Sequence, residues 1–163
     1  MPDRPLTIEQ VLALLAEHPP RIAALTAGLT PAQLHATPGP DEWSANDVLA
    51  HLRACGDVWG GCMRQIIDQD APTIRHVSPR TWIRSTNYLD LQFRPSFRAF
   101  AAQRADLLTL LQPLAANAWS RTATVRKSGT VLTRTVLSYG EQLAVHEQHH
   151  LEQFARIANT VRA

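Results

Sequence analysis

The stretch His146-Glu147-Gln148-His149-His150 lies in a long run of helical periodicity near the C-terminus. An α-helix turns about 100° per residue, so His146 and His150 lie about 40° apart on its surface. Both are predicted to face the interior, whereas His149 falls outside this inward face. Two histidines one turn apart come within about 5–6 Å of each other, which suits one metal ion. A pair of hydrogen-bonded core histidines is the alternative. The same face carries the apolar residues Leu143, Phe154, Ile157 and Val161.

A second helix is predicted to carry a third inward-facing histidine. Ser44 is suited to cap the start of this helix, and Asp47 at the third helical position completes a capping box. His51 then lies at the edge of the apolar stripe. Three histidines on two helices suit a metal site that keeps an open coordination position. The stripe consists of Val48, Cys55, Trp59, Cys62 and Ile66.

Several short motifs occur in an order and spacing that resemble one known family. They are Leu29-Thr30-Pro31-Ala32-Gln33-Leu34, the run from Pro38 to Ser44 followed by His51-Leu52, Arg104 with the leucine-rich run 107–111, Trp119-Ser120-Arg121, and the run from His146 to Gln153. On these motifs the chain is identified as a member of the DinB-like (YfiT-like) metalloenzyme superfamily. The resemblance spans nearly the whole chain. It implies an antiparallel four-helix bundle that holds a divalent metal ion through His51, His146 and His150.

The chain is expected to be one all-α domain, residues 1–163, folded as a four-helix bundle. Long helices are predicted at about 7–29 with a break or kink at Pro19-Pro20, 44–68, 87–111 with a bend at Pro95, and 133–159. The links 70–86 and 112–132 exceed the roughly 2–8 residues usual in bundles. Their length indicates crossover connections that could also cover the site. The second link is the expected place for any short strand.

Composition excludes several classes of function. The net charge of +2 is mild and the basic residues are scattered, so nucleic acid is not an expected partner. No apolar run approaches the roughly 20 residues of a membrane span, and the N-terminus lacks the apolar core of a signal peptide. A cytoplasmic protein without membrane contact is therefore expected. A homodimer is expected as well, because long bundle helices often keep an apolar flank and dimers are common among proteins of this resemblance.

The predicted metal site suggests the chemistry of the protein. Three imidazoles suit zinc, nickel, copper and iron, and zinc or nickel is the divalent ion expected first. A metal held by neutral ligands keeps its charge and lowers the pKa of a bound water or thiol. The resemblance implies thiol-dependent S-transferases and isomerases, together with many members of unassigned reaction. We therefore expect a metal-dependent enzyme with a small-molecule substrate, either a thiol S-transferase using a low-molecular-weight thiol or a hydrolase. The alternative is a non-catalytic bundle whose histidines bind metal for structure or sensing, or merely fill the core.

Residues 146–150 also satisfy the H-E-x-x-H pattern of zinc proteases, in which the Glu is the general base. A zinc protease is therefore the third interpretation, after a metal-dependent enzyme and a non-catalytic bundle. Those proteases have a third metal ligand downstream of the motif, and it is absent here. Glu147 could still serve as a base or support a metal ligand, but such a residue is more often a rim residue or an ion-pair partner. Cys55 and Cys62 are expected to be reduced core residues, with Cys55 as an extra soft ligand or reactive thiol in the alternative. The histidines not expected to be ligands are His18, His35, His76 and His149.

Overall fold

The computed structural model describes residues 4–163, most of which are helical. Its α-helices are α1 (Ile8–Thr26), α2 (Pro31–His35), α3 (Ala45–Asp68), α4 (Pro79–Trp82), α5 (Phe93–Leu111), α6 (Ala116–Trp119) and α7 (Val136–Arg162). Its strands are β1 (Thr73–Arg75), β2 (Thr122–Lys127) and β3 (Thr130–Thr135). The four long helices α1, α3, α5 and α7 form a bundle, so the predicted fold class is confirmed. Among residues 4–163, no helix combines the length and apolar character needed to cross a membrane.

The order of the helices around the bundle differs from their order in the chain. α7 packs against α1 and α3, and α5 packs against the same two helices. α1 therefore lies diagonally across from α3, and α5 lies diagonally across from α7. The link between α5 and α7 is thus a crossover, as its length predicted. The link between α3 and α5 joins neighbouring helices, so the predicted crossover does not account for its length.

Polar side chains set the starts of the helices. Ser44 and Asp47 form the predicted capping box, with the Ser44 N–H donating to Asp47 Oδ2 at 2.9 Å and the Asp47 N–H donating to Ser44 Oγ at 3.1 Å. These bonds satisfy N–H groups that have no partner within the helix. α7 begins three residues later than predicted because residues 133–135 pair with β2, and Thr135 caps the helix. α5 begins at Phe93 rather than near 87, because the chain first forms a short 3-10 turn at Tyr88–Asp90.

Of the two outcomes expected at Pro19-Pro20, a break or a kink, the break does not occur, since α1 is continuous across both prolines. Proline has no N–H, so Pro19 leaves the carbonyl of Leu15, four residues earlier, without its helical partner. Arg104 on α5 compensates, because its Nη1 donates to Leu15 O at 2.9 Å. A hydrogen-bond donor from another helix thus satisfies this carbonyl. The helix therefore continues through a proline at which local rules predict that it ends.

A small sheet covers part of the bundle and adds to the predicted all-α fold. β2 and β3 form an antiparallel hairpin whose turn residues, Ser128 and Gly129, both have positive φ. β1 from the earlier link pairs in parallel with β2. The hairpin begins in the link 112–132, where the sequence predicts any short strand, whereas the sequence does not predict β1 in the link 70–86. The three residues of β1 are too few to show the alternation of apolar and polar residues that predicts a strand.

The buried apolar residues form two clusters separated by a polar layer. One cluster contains Leu15, Leu107 and Leu143, and the other contains Ile22 and Phe100 on the same helices. On each of the four long helices, one buried polar side chain lies in the chain between residues of the two clusters. They are His18, His51, Arg104 and Glu147.

Candidate metal centre

The structure brings the three histidines of the predicted triad together. His51 on α3 and His146 on α7 approach through their Nε2 atoms at 3.2 Å, and the Nε2 atoms of His146 and His150 are also 3.2 Å apart. His51 is only 7% exposed, and the other two are partly buried. His149 is exposed, as the helical periodicity predicted. The packing of α7 against α3 therefore places all three imidazoles at one point.

Aromatic side chains hold the imidazole rings from two sides. The ring of Trp43, which precedes the cap of α3, meets His51 edge to face with centroids 5.2 Å apart. Trp59, two turns after His51 on α3, meets the ring of His146 edge to face with centroids 5.0 Å apart. These contacts limit rotation of the rings. The nitrogens are thus positioned in advance of any ligand.

Hydrogen bonds between the three rings cannot satisfy all of their Nε2 atoms. His150 Nδ1–H donates to Gln153 Oε1 at 2.7 Å, so in the neutral ring Nε2 carries a lone pair. His146 Nε2 faces two nitrogens at 3.2 Å, although a ring nitrogen offers only one in-plane hydrogen or lone pair. A cation can accept all three lone pairs. Ligands about 2.0–2.1 Å from a tetrahedral ion lie about 3.3 Å apart, close to these separations. The donor set therefore fits a divalent metal ion.

The electrostatic environment keeps the imidazoles neutral at physiological pH. Burial and, to a smaller extent, the neighbouring imidazoles together lower the pKa of His51 and of His146 to about 4. Burial also lowers the pKa of His150. The exposed guanidinium of Arg80 adds a smaller effect in the same direction on all three rings. The lone pairs needed for metal binding are consequently available at pH 7.

Cys55 offers a second possible ligand set. Its Sγ lies 3.6 Å from His51 Nε2, and the ligand atoms of His51, Cys55 and His146 lie within 4.8 Å of one another. This set shares two residues with the predicted triad and replaces His150. We favour His150 because its Nε2 lies 3.2 Å from His146 and Gln153 orients its ring. Burial raises the pKa of the Cys55 thiol above its ordinary value, which disfavours a free thiolate.

Glu147 is fully buried and belongs to a separate network behind the imidazoles. Its Oε1 accepts from His18 Nδ1 at 2.8 Å and from Arg104 Nη1 at 2.9 Å, and its Oε2 accepts from Arg104 Nη2. Burial alone raises the pKa of this carboxyl, but Arg104 and His18 outweigh that effect and the pKa is lowered. Both oxygens are occupied, so Glu147 is not placed as the general base of a zinc protease. It is an ion-pair partner in the core, which is one of the roles that the sequence allowed.

Sequence reasoning did not assign roles to His18 and Arg104, which complete this network. The sequence motifs mark Arg104 only as a family landmark, and His18 is expected only not to be a ligand. The available signal was the placement of each polar residue among the apolar positions of its helix. His18 contacts Glu147 rather than the imidazole cluster, and the side chains of His35 and His76 are exposed.

Two cavities connect the imidazole cluster with the surface. One of about 560 Å³ borders His150, and another of about 430 Å³ borders His51. Both are lined by Trp43 and Arg80. These volumes lie in the range of about 300–1,000 Å³ that is typical of small-molecule sites. The arrangement can therefore admit a small molecule to the side of the cluster that the bundle does not cover.

Comparison with known proteins identifies the family. Residues 14–154 match the DinB superfamily, and the chain belongs to it. No protein of curated function matches the chain significantly. Its fold is similar to that of YfiT from Bacillus subtilis, with a TM-score of 0.79 and 16% sequence identity over 98% of this chain and 91% of that chain. YfiT is described as a probable metal-dependent hydrolase with an unusual four-helix bundle topology. At this identity the similarity shows the fold alone.

Proposed function

We propose that this member of the DinB superfamily is a metal-dependent enzyme that acts on a small molecule. His51, His146 and His150 would hold one divalent ion, with zinc or nickel as the first candidates. The observation that carries the proposal is the convergence of three imidazole nitrogens, with successive separations of 3.2 Å, beside cavities that reach the surface. A core of ordinary buried histidines would not need lone pairs directed at one point.

The ion would supply Lewis acidity that lowers the pKa of a water or a thiol. The protein's own residues contribute orientation and exclusion of water. Gln153 fixes the tautomer and the ring orientation of His150, in the manner of an outer-shell partner of a metal ligand. Trp43 and Trp59 shield the rings of His51 and His146 from bulk water. The partly buried setting strengthens electrostatic interactions with a bound substrate relative to bulk water.

Two reaction classes are proposed, and both use the same site. The first is transfer of a low-molecular-weight thiol to an electrophile, the activity that the family resemblance suggests. The second is hydrolysis of a small molecule, which the description of YfiT supports. A screen that pairs thiols with electrophiles, run in parallel with ester and amide substrates, separates the two classes.

A non-catalytic metal site is the second candidate function, and the position of Cys55 favours it. If the Cys55 thiol joined the histidines, the ion would be enclosed by four protein ligands, as in structural zinc sites. Such a site would stabilise the bundle and leave no position for substrate. Chelation would then lower the melting temperature sharply, and no reaction would be found.

Metal analysis of untagged protein purified without chelator tests the proposal. We expect about one divalent ion per chain. His150→Ala should abolish this stoichiometry, whereas the matched control His149→Ala on the exposed face of α7 should retain it. Absence of metal, or retention of metal by His150→Ala, would contradict the assignment of the triad.

A further inference from the structure

Arg80 stands at the entrance of the imidazole cluster. Its side chain is exposed and lines both the cavity that borders His150 and the cavity that borders His51. The guanidinium lies over the ring of Trp43, 5.4 Å from its centroid, and Trp43 in turn contacts His51. A molecule in either cavity therefore lies near both a cation and one histidine of the cluster.

The segment that carries Arg80 is held firmly against α3. Ser78 caps the short helix α4, and Pro79 beside Arg80 is buried. Asp57 on α3 then accepts hydrogen bonds from Trp82 Nε1 at 3.0 Å and from the Tyr88 hydroxyl at 2.6 Å. This anchoring explains the length of the link between α3 and α5, which does not cross the bundle. The link places α4 beside the cluster.

Carboxylates line the same cavities as Arg80, with Asp41 and Glu42 at the cavity of His150 and Asp47 at that of His51, but in the described part of the chain none of them pairs with its guanidinium. Among residues 4–163, the ion pairs all involve Glu147, and Arg80 has no carboxylate partner. A fixed cation beside a divalent ion is repulsive, so Arg80 would weaken metal binding in the absence of substrate. An anion bound between the two cations removes that repulsion. The planar fork of an arginine matches a carboxylate in particular, through two parallel hydrogen bonds.

We propose that Arg80 binds the carboxylate of an anionic small-molecule substrate and thereby directs the substrate's reactive group to the metal. This inference rests on the proposed function, which supplies the metal. It narrows the substrate class to compounds that carry a carboxylate in addition to the thiol or the scissile group. Arg80 is then a substrate-binding residue that acts on affinity and specificity.

The test uses two thiols that differ in one group, 3-mercaptopropionate and 2-mercaptoethanol. The protein is loaded with Co²⁺, and binding of each thiol is followed by the thiolate-to-cobalt charge-transfer absorption. We expect 3-mercaptopropionate to bind severalfold more tightly, because its carboxylate gains a charge-assisted hydrogen bond that solvent at this exposed guanidinium weakens but does not abolish. Arg80→Gln should abolish the preference and leave 2-mercaptoethanol unchanged. Arg98→Gln, an exposed arginine on α5 that lines neither cavity, is the matched control and should keep the preference.

Equal affinities in the wild type, or an unchanged preference in Arg80→Gln, would overturn the proposal. Metal affinity is a second readout, which Arg80→Gln should raise severalfold. A fall would show instead that Arg80 supports the site through Trp43, and would also overturn it. If the chain takes up no metal, the proposed function fails separately. Amide shifts in the metal-free protein then decide, since changes near Arg80 with 3-mercaptopropionate but not 2-mercaptoethanol support the docking role and their absence refutes it.

Discussion

Replacement of Arg104 by methionine should strongly destabilise the bundle without removing the metal ligands. Arg104 is 3% exposed and Glu147 is 0% exposed, so the substitution leaves a buried carboxylate with His18 as its remaining donor. Removing one partner of a buried ion pair costs about 3–5 kcal/mol. The Leu15 carbonyl, which Pro19 has already deprived of a helical partner, loses its donor at a cost of about 1 kcal/mol or more. The expected loss is about 4–6 kcal/mol.

This loss is a large part of the roughly 5–15 kcal/mol by which a typical domain is stable. The assay is urea unfolding of the metal-free protein followed by circular dichroism at 222 nm. The double variant Arg104→Met with Glu147→Met is the critical comparison, because it removes the unpaired charge along with its partner. It should be more stable than Arg104→Met alone. A loss below about 1 kcal/mol in the single variant, or simple additivity in the double variant, would refute the ion-pair argument.

The remaining predictions concern the metal centre and the assembly. His51→Ala should lose metal and activity but keep its helical circular dichroism, since the substitution costs only about 1–3 kcal/mol; an unfolded variant would contradict this. Because the pKa values of His51 and His146 are lowered to about 4, a metal titration should show retention at pH 5.5 and loss as the pH falls towards 4. The same shift predicts that the stability of the metal-free protein is full above about pH 6.5 and declines between pH 6.5 and 4, as measured by urea unfolding. Cys55→Ser should match Cys62→Ser in metal stoichiometry if His150 is the third ligand, and loss of metal in Cys55→Ser alone would favour the His/Cys set. Light scattering at micromolar concentration should give the mass of a homodimer, and a monomer mass would exclude this expectation.

Two adjacent residues of α7 have different roles in the polar layer. His146 belongs to the imidazole cluster, and Glu147, its neighbour in the chain, belongs to the Arg104 network. One turn of α7 therefore contributes to a candidate reactive site on one side and to a stabilising ion pair on the other. Variants in this turn should be assessed by both metal content and stability.

Local sequence determined the features that depend on neighbours within one or two turns. The phase of α7 placed His146 and His150 inward and His149 outward, because helix geometry repeats every 3.6 residues. The Ser44–Asp47 cap was equally local, since a capping box spans four residues. Local rules allowed a break at Pro19-Pro20 that does not occur, because the compensating donor comes from another helix.

Tertiary structure alone decided which distant residues meet. Glu147 pairs with His18, 129 residues away, and with Arg104, 43 residues away, and no local pattern encodes these separations. The diagonal arrangement of the bundle, the pairing of β1 with β2 and the position of Arg80 at the cavities are of the same kind. Periodicity specifies which face of a helix is buried, but the partner on the opposite side depends on how all four helices pack around one core. The sequence therefore determined the candidate ligands, and the packing of the bundle decided what surrounds them.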